Sequence, residues 1–156
     1  MKIKRAFVLP SVFTLLFSGL GPGHATKVLP STQDVENPSY ALGAPDGKYA
    51  GVEYLANLDM EFHAKNMEGD DIIVHARSPF DPRFGTTTYR VFGRSKNGEW
   101  EYIGTGCGKG EAEDFDLGNL PEMDSIRILY QNPYEFLRLP RQWKNQMGID
   151  SVEVIH

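Results

Sequence analysis

The sequence contains little cysteine: Cys107 is the only one among 156 residues. No disulfide bond can therefore form within the chain, so burial and hydrogen bonding must hold the fold. We interpret Cys107 as a thiol tucked into the sheet or beside the glycine-rich turn. The neighbouring Lys109 leaves two alternatives open, a reactive nucleophile and a disulfide bond between two chains.

Convincing amphipathic helices are also absent from the sequence. The segment 134–146 could form a short helix, but Pro133 and Pro140 bracket and interrupt it. Elsewhere apolar residues alternate with polar ones, most clearly over residues 58–63. This period of two is typical of half-buried β-strands.

Similar short segments recur along the chain with turn signals between them, the strongest being Asn97-Gly98. We therefore predict an all-β fold, an antiparallel β-sandwich or jelly roll of about eight strands. The apolar members of the alternating runs form the predicted core. They are Leu58, Met60, Phe62, Ile72, Val74, Trp100, Phe115, Ile126, Ile128 and Val152.

The one long apolar run lies at the N terminus, over residues 6–20, after a basic start and before small residues at 23–25. Pro10 interrupts this run, which is too short to span a bilayer comfortably. The pattern predicts a secretory signal peptide, residues 1–25, followed by a single domain, residues 26–156. We expect the mature protein to be periplasmic, on the cell surface or secreted.

Acidic residues outnumber basic ones, 21 against 16, and the net charge is −5. Residues 1–25 carry three basic residues and no acidic one, so their removal lowers the net charge to −8. An acidic domain is poorly suited to nucleic acid or to an anionic membrane surface. We predict neither as a partner, and no membrane span in the mature form.

Six segments, taken in order, carry a resemblance to known proteins. They are residues 37–47, 71–74, 97–100, 115–117, 125–128 and 148–153. Together they resemble bacterial secreted or cell-surface β-sandwich domains of the galactose-binding, discoidin-like type. This resemblance covers nearly the whole chain after residue 25. It implies a jelly-roll fold, export and a binding role, often to glycans. The long segment 132–146 and His75 depart from the pattern.

The resemblance also implies a structural calcium ion as cofactor. In discoidin-like folds calcium commonly joins a loop after the first strand to a glutamate on the last strand, which here indicates Asn37, Asp46 and Glu153. Calcium accepts many oxygen ligands in flexible geometry, backbone carbonyls included. The alternative is that Asp46-Gly47 is only a turn and Glu153 an outward strand residue. Either way, we expect the loop 41–47 to meet the terminal strand. We expect no zinc site, because lone histidines such as His63 are usually structural or solvated.

Two loops that combine aromatic residues, arginine and proline are the predicted recognition surface, residues 77–84 and 134–143. Sugar binding uses an aromatic face against the apolar side of the ring, with charged or amide groups fixing the hydroxyls. The predicted ligand-binding residues are Arg77, Asp81, Arg83, Tyr134, Arg138 and Trp143. The alternative is that these side chains cap the open ends of the sandwich.

We predict a non-catalytic binding module that recognises carbohydrate or another cell-surface polymer. Carboxylates are plentiful, but acids that alternate along strands are what a solvated sheet surface requires. The sequence shows neither a nucleophile elbow nor a phosphate-binding loop. Two alternatives stay open: a protein-interaction or adhesion domain of the cell envelope, and a small secreted hydrolase that uses two of the carboxylates.

Overall fold

The computed structural model describes residues 23–78, 88–131 and 146–156, and within them it confirms the predicted all-β fold. The elements are β1 (Lys27–Val28), β2 (Gln33–Glu36), a short 3-10 helix (Pro38–Ala41), β3 (Ala50–Lys65), β4 (Ile72–Arg77), β5 (Tyr89–Arg94), β6 (Glu101–Gly106), β7 (Lys109–Phe115), β8 (Glu122–Tyr130) and β9 (Met147–Val154). No helix among the described residues is long and apolar enough to cross a membrane.

The strands are antiparallel and pair in the order β6-β5-β8-β3-β9-β4-β7, and β1 and β2 also pair with β3. Strand β3 belongs to both halves of this sheet, because residues 57–65 pair with β8 and residues 50–52 with β9. Between them Leu55 has a φ of 64°, a left-handed conformation that redirects the strand. The sheet thus folds over at β3 into two layers.

The two layers pack face to face through the alternating apolar side chains. Tyr89 of β5 and Phe115 of β7 lie with ring centroids 6.3 Å apart. A side chain at Gly104 of β6 would lie 2.7 Å from the Phe115 ring, so the glycine makes room for that ring. Nine of the ten predicted core residues are buried.

The prediction that Trp100 belongs to the core is wrong. Trp100 is half-buried on the outside of the sandwich, where the guanidinium carbons of Arg94 and Arg127 lie 4.3 and 4.5 Å from its ring centroid. The residue follows the Asn97-Gly98 turn and precedes β6, so the inward alternation of the strand does not reach it.

The folded unit in this structure includes residues ahead of the predicted domain boundary at residue 26. Ala25 is fully buried, and its carbonyl accepts the Gly43 N–H at 3.1 Å. The Gly23 carbonyl accepts the Val154 N–H at 2.9 Å. The stretch that follows, in which the sequence showed no regular pattern, forms β1 and β2 along β3.

Carboxylates hold the connections between strands. Asp71 is fully buried and accepts the backbone N–H groups of Met67 at 2.7 Å and Leu117 at 2.9 Å. These contacts tie the β3–β4 connection to the chain that follows β7. At the opposite end of the sandwich, Glu113 accepts the Gly108 N–H at 2.9 Å and the Tyr89 hydroxyl at 2.7 Å.

Candidate functional site at the loop end

Both segments predicted to recognise a ligand leave the sandwich at one end, which we call the loop end. Residues 79–87 follow β4 and residues 132–145 follow β8, and both lie outside the described residues. Their flanking residues are held together: Ser78 donates its N–H to the Gly108 carbonyl, and Gln131 donates its N–H to the Thr88 carbonyl at 3.1 Å. That the two segments form one recognition surface stays a prediction.

Arg77 is the one predicted ligand-binding residue that lies within the described ranges. It is exposed at the end of β4, and its guanidinium carbon lies 5.8 Å from the ring centroid of Tyr49, within reach of a cation–π attraction. Gly148, its partner on β9, lets the Tyr49 ring lie flat on the backbone, because a Cβ there would come within 3.1 Å of it.

The other five predicted ligand-binding residues lie outside the described part of the chain. They are Asp81, Arg83, Tyr134, Arg138 and Trp143.

Three tyrosines, Tyr40, Tyr49 and Tyr54, escaped the sequence analysis. Tyr40 is 42% exposed, and the Lys48 ammonium lies 5.9 Å from its ring centroid. Tyr54 meets Tyr130 edge to face with centroids 5.5 Å apart. A signal was present, because Tyr40 and Tyr49 flank the glycine- and proline-rich loop 41–47, but only the fold shows that Tyr49 lies beside Arg77.

The expected meeting of the loop 41–47 with the terminal strand is confirmed, through a residue that the sequence did not single out. The Asp150 carboxylate, 6% exposed, accepts the N–H groups of Asp46 and Gly47, each at 3.0 Å. Successive backbone N–H groups form a concave site for an anion. The Asp46 carboxylate turns away and accepts the Lys48 N–H at 2.9 Å.

Glu153 lies on the outer face of β9 between two histidines. Its Oε2 is 2.7 Å from His75 Nε2 and its Oε1 is 3.1 Å from His24 Nε2. The hydrogen bond with His75 is the main cause that holds the pKa of Glu153 below its usual value, and His24 acts in the same direction. His24 escaped the sequence analysis because it fell within the predicted signal peptide.

The three predicted calcium ligands, Asn37, Asp46 and Glu153, each lie in a different setting. Both Glu153 oxygens face imidazole nitrogens, the loop presents N–H donors to Asp150, and Asn37 is exposed at the start of the 3-10 helix. In the part of the chain that is described, no group of three or more His, Cys, Asp or Glu side chains could hold a metal ion. Calcium binding stays a prediction that would require Glu153 to leave its histidines.

The remaining histidines lie apart from the loop-end surface, whereas the cysteine borders it. His63 lines a cleft of about 620 Å³ at the opposite end of the sandwich, together with Lys96 and Asp124. Cys107 is a free, half-buried thiol in the β6–β7 turn, in line with our interpretation of it as a thiol beside the glycine-rich turn.

The outer face of the β5–β8 layer has a buried charge pair, also missed at the sequence level. Asp59 of β3 is fully buried and accepts hydrogen bonds from Arg127 Nε and Nη2, each at 2.8 Å. Ser31 donates to the same carboxylate at 2.5 Å. Trp100 covers this pair from outside, which explains its place outside the core.

No protein-family model and no curated protein matches the sequence. Two similar solved structures are the C-terminal domain of a chitobiase from Bacteroides fragilis, with 13% identity and a TM-score of 0.40, and a GH31 CBM32-2 domain bound to GalNAc, with 12% identity and a TM-score of 0.41. The matched regions cover 64% and 86% of this chain. This chain spans 61% of the chitobiase domain and 94% of the GH31 domain. The assignment of an antiparallel sandwich rests on the strand pairing itself.

Proposed function

We propose that this protein is an exported, non-catalytic binding module that recognises carbohydrate through the loop end. The observation that carries the proposal is convergence. The roots of two segments rich in aromatic residues and arginine lie at one end of the sandwich, where Gln131 pairs with Thr88 and Arg77 lies beside Tyr49. Export and a stabilising calcium ion belong to the same proposal.

The chemistry of this surface suits a saccharide. A sugar ring has an apolar face that packs on an aromatic side chain, and hydroxyl groups that accept hydrogen bonds from fixed donors. Tyr40 supplies an exposed ring, and the Arg77 guanidinium is oriented by Tyr49 before any ligand arrives. A donor that is already oriented loses less conformational entropy on binding.

The described carboxylates near this surface suit structure better than catalysis. Asp150 is engaged by the N–H groups of loop 41–47, and Glu113 by the N–H groups of the β6–β7 turn. A glycosidase needs two carboxyl groups that face a substrate and take different protonation states. Acids saturated by backbone donors do not meet that requirement, so we propose binding without turnover.

The test is a glycan array followed by titration of the best ligand. We expect Arg77→Gln to weaken binding by roughly tenfold, because a charged hydrogen bond is lost. Tyr40→Ala should weaken it by a smaller factor. Lys65→Gln is the matched control, since it removes an exposed charge at the far end of β3. Silence across the array, or equal binding by the Arg77 and Lys65 variants, would overturn the proposal.

A further inference from the structure

The outer face of β5 and its neighbours carries aromatic and basic side chains. Arg90, Phe92 and Arg94 point outward, and the residues between them are buried. Phe92 is the register partner of Tyr102 on β6 and of Arg127 on β8. A row of side chains therefore crosses three strands. We call the surface formed by Arg90, Phe92, Arg94, Trp100 and Tyr102 the aromatic–arginine face.

The aromatic rings of this face are open to a ligand. Tyr102 is 58% exposed, and its ring meets that of Phe92 with centroids 5.8 Å apart and planes at 65°. Neither ring belongs to the core that joins the two layers. A flat ring left exposed beside another on a sheet surface offers stacking area to a cyclic ligand.

The charges of the face are positive on a protein whose net charge is −5. Arg127 is neutralised by Asp59. Within the described residues, neither Arg90 nor Arg94 has a carboxylate at ion-pair distance. Lys96, exposed in the turn after β5, adds a third cation along the same line. Arg94 and Lys96 share a cleft with Glu61 and Asp124, but none of these described carboxylates reaches ion-pair distance, so the strand presents positive charge that no salt bridge neutralises.

Spacing indicates the form of the ligand. Arg90 and Arg94 are four residues apart on one strand, which separates their Cα atoms by roughly 13 Å. No single small anion reaches both, so a ligand that uses both must carry repeated negative groups along an extended chain. Phe92 and Tyr102 lie between or beside the two arginines and would meet the rings of that chain.

We propose that the aromatic–arginine face binds an anionic polysaccharide, with carboxylates of uronic acid residues at Arg90 and Arg94 and sugar rings against Phe92 and Tyr102. Nucleic acid suits it less well, because a duplex carries one charge per about 1.7 Å and the remaining surface of this acidic protein repels such density. The inference shares the ligand class of the proposed function but not its surface, so either can fail alone.

The experiment measures binding of the full protein to polygalacturonate, to a neutral galactan of matched length and to single-stranded DNA. We expect binding to polygalacturonate to weaken at high salt, because exposed charges are screened. The double variant Arg90→Gln/Arg94→Gln should weaken it by roughly tenfold or more. Tyr102→Ala should weaken it by roughly 2- to 10-fold.

Controls separate this surface from the loop end and from misfolding. Lys65→Gln should bind polygalacturonate as the wild type does. Loss of polygalacturonate binding in Arg77→Gln would place the ligand at the loop end and overturn the proposal. Each variant is first shown to melt as the wild type does; Arg90→Gln alone, at a fully outward position, replaces the double variant if loss of Arg94 disturbs Trp100. The proposal would be overturned if the variants of the aromatic–arginine face bound polygalacturonate as tightly as the wild type. It would also be overturned if the wild type did not bind polygalacturonate, or if it bound DNA more tightly.

Discussion

The two outer faces of the sandwich each hold one carboxylate between partners, and they do so differently. On the β5–β8 layer, Asp59 is fully buried and accepts two hydrogen bonds from the guanidinium of Arg127. On the β4–β9 layer, Glu153 keeps 27% of its side chain exposed and lies between the imidazoles of His75 and His24. The carboxylate of the first pair is closed to water, and that of the second is open to it.

The difference lies in the permanence of the positive partner. Arginine stays charged at every pH that a folded protein experiences, whereas histidine changes its charge near neutral pH. Burial raises the pKa of Asp59, but the hydrogen bonds from Arg127, Ser31 and Asn57 outweigh burial and leave it lowered. One layer is thus fastened by a pair with a permanent cation, and the other by hydrogen bonds between a carboxylate and two imidazoles.

The largest expected effect is that of Asp59→Ala. The substitution leaves the Arg127 guanidinium, 28% exposed, without its carboxylate, and breaking a buried pair from one side costs about 3–5 kcal/mol. We expect the low end of that range in urea unfolding, because Arg127 can still reach water. The double variant with Arg127→Ala should recover part of the loss, and a cost below about 1 kcal/mol would contradict buried pairing.

Removal of residues 23–25 should have the next largest effect. A chain that starts at Thr26 lacks the buried Ala25, the hydrogen bonds of Gly23 and Ala25, and one of the two partners of Glu153. We expect a loss of about 2–3 kcal/mol relative to a chain that starts at Gly23. Thermal melting of the two chains measures it. His24→Ala in the longer chain isolates the histidine, and identical melting of both chains would show that the segment adds no stability.

The pH dependence of stability should reveal the contribution of Glu153. The pKa of Glu153 is lowered in the folded protein, so its contribution is complete above its unfolded value of about 4.3 and is lost as the pH falls through the folded value. We therefore expect Glu153→Gln to be less stable than wild type near neutral pH, with the gap narrowing below about pH 4.3. Urea titrations across this range measure the gap, and a constant gap would contradict the assignment.

Calcium should have the smallest effect. At a hundredfold excess over its dissociation constant, a bound ion adds roughly 2.7 kcal/mol, but here it must first displace His24 and His75 from Glu153. We expect a gain well below that value, and none in Glu153→Gln. The measurement compares the melting temperature in calcium with the melting temperature in chelator. Equal melting temperatures in the wild type would reject the predicted site at Asp46 and Glu153.

Strand alternation could be read from the sequence because burial alone determines it. Apolar residues such as Leu58 and Ile126 recur at every second position of their strands. This alternation predicts their inward orientation without knowledge of the neighbouring strands. The position of Trp100 could not be predicted in this way, since the residue lies between a turn and a strand. Its ring is positioned by Arg94 and Arg127, which lie on strands that are distant from each other in sequence.

The contacts of the candidate sites depend on register, which the sequence does not contain. His75 reaches Glu153 diagonally across β4 and β9, and a register shift between His75 and Ala76 decides which side chains meet. Asp150 and Glu153 lie three positions apart on one strand. Asp150 accepts hydrogen bonds from the loop 41–47, whereas Glu153 contacts the histidines. The sequence motifs were enough to predict that the two ends of the chain meet. Which atoms meet could be identified only from the fold.

The bend of β3 at Leu55 has a consequence for how the domain unfolds. Because one strand supplies hydrogen bonds to both layers, neither layer can separate from the other without losing part of the same ladder. We expect the amides of residues 50–52 and 57–65 to exchange with solvent through one shared global opening, at equal free energies. A ligand bound at either face would then slow exchange across the whole sandwich, because its binding energy adds to the stability of a single cooperative unit.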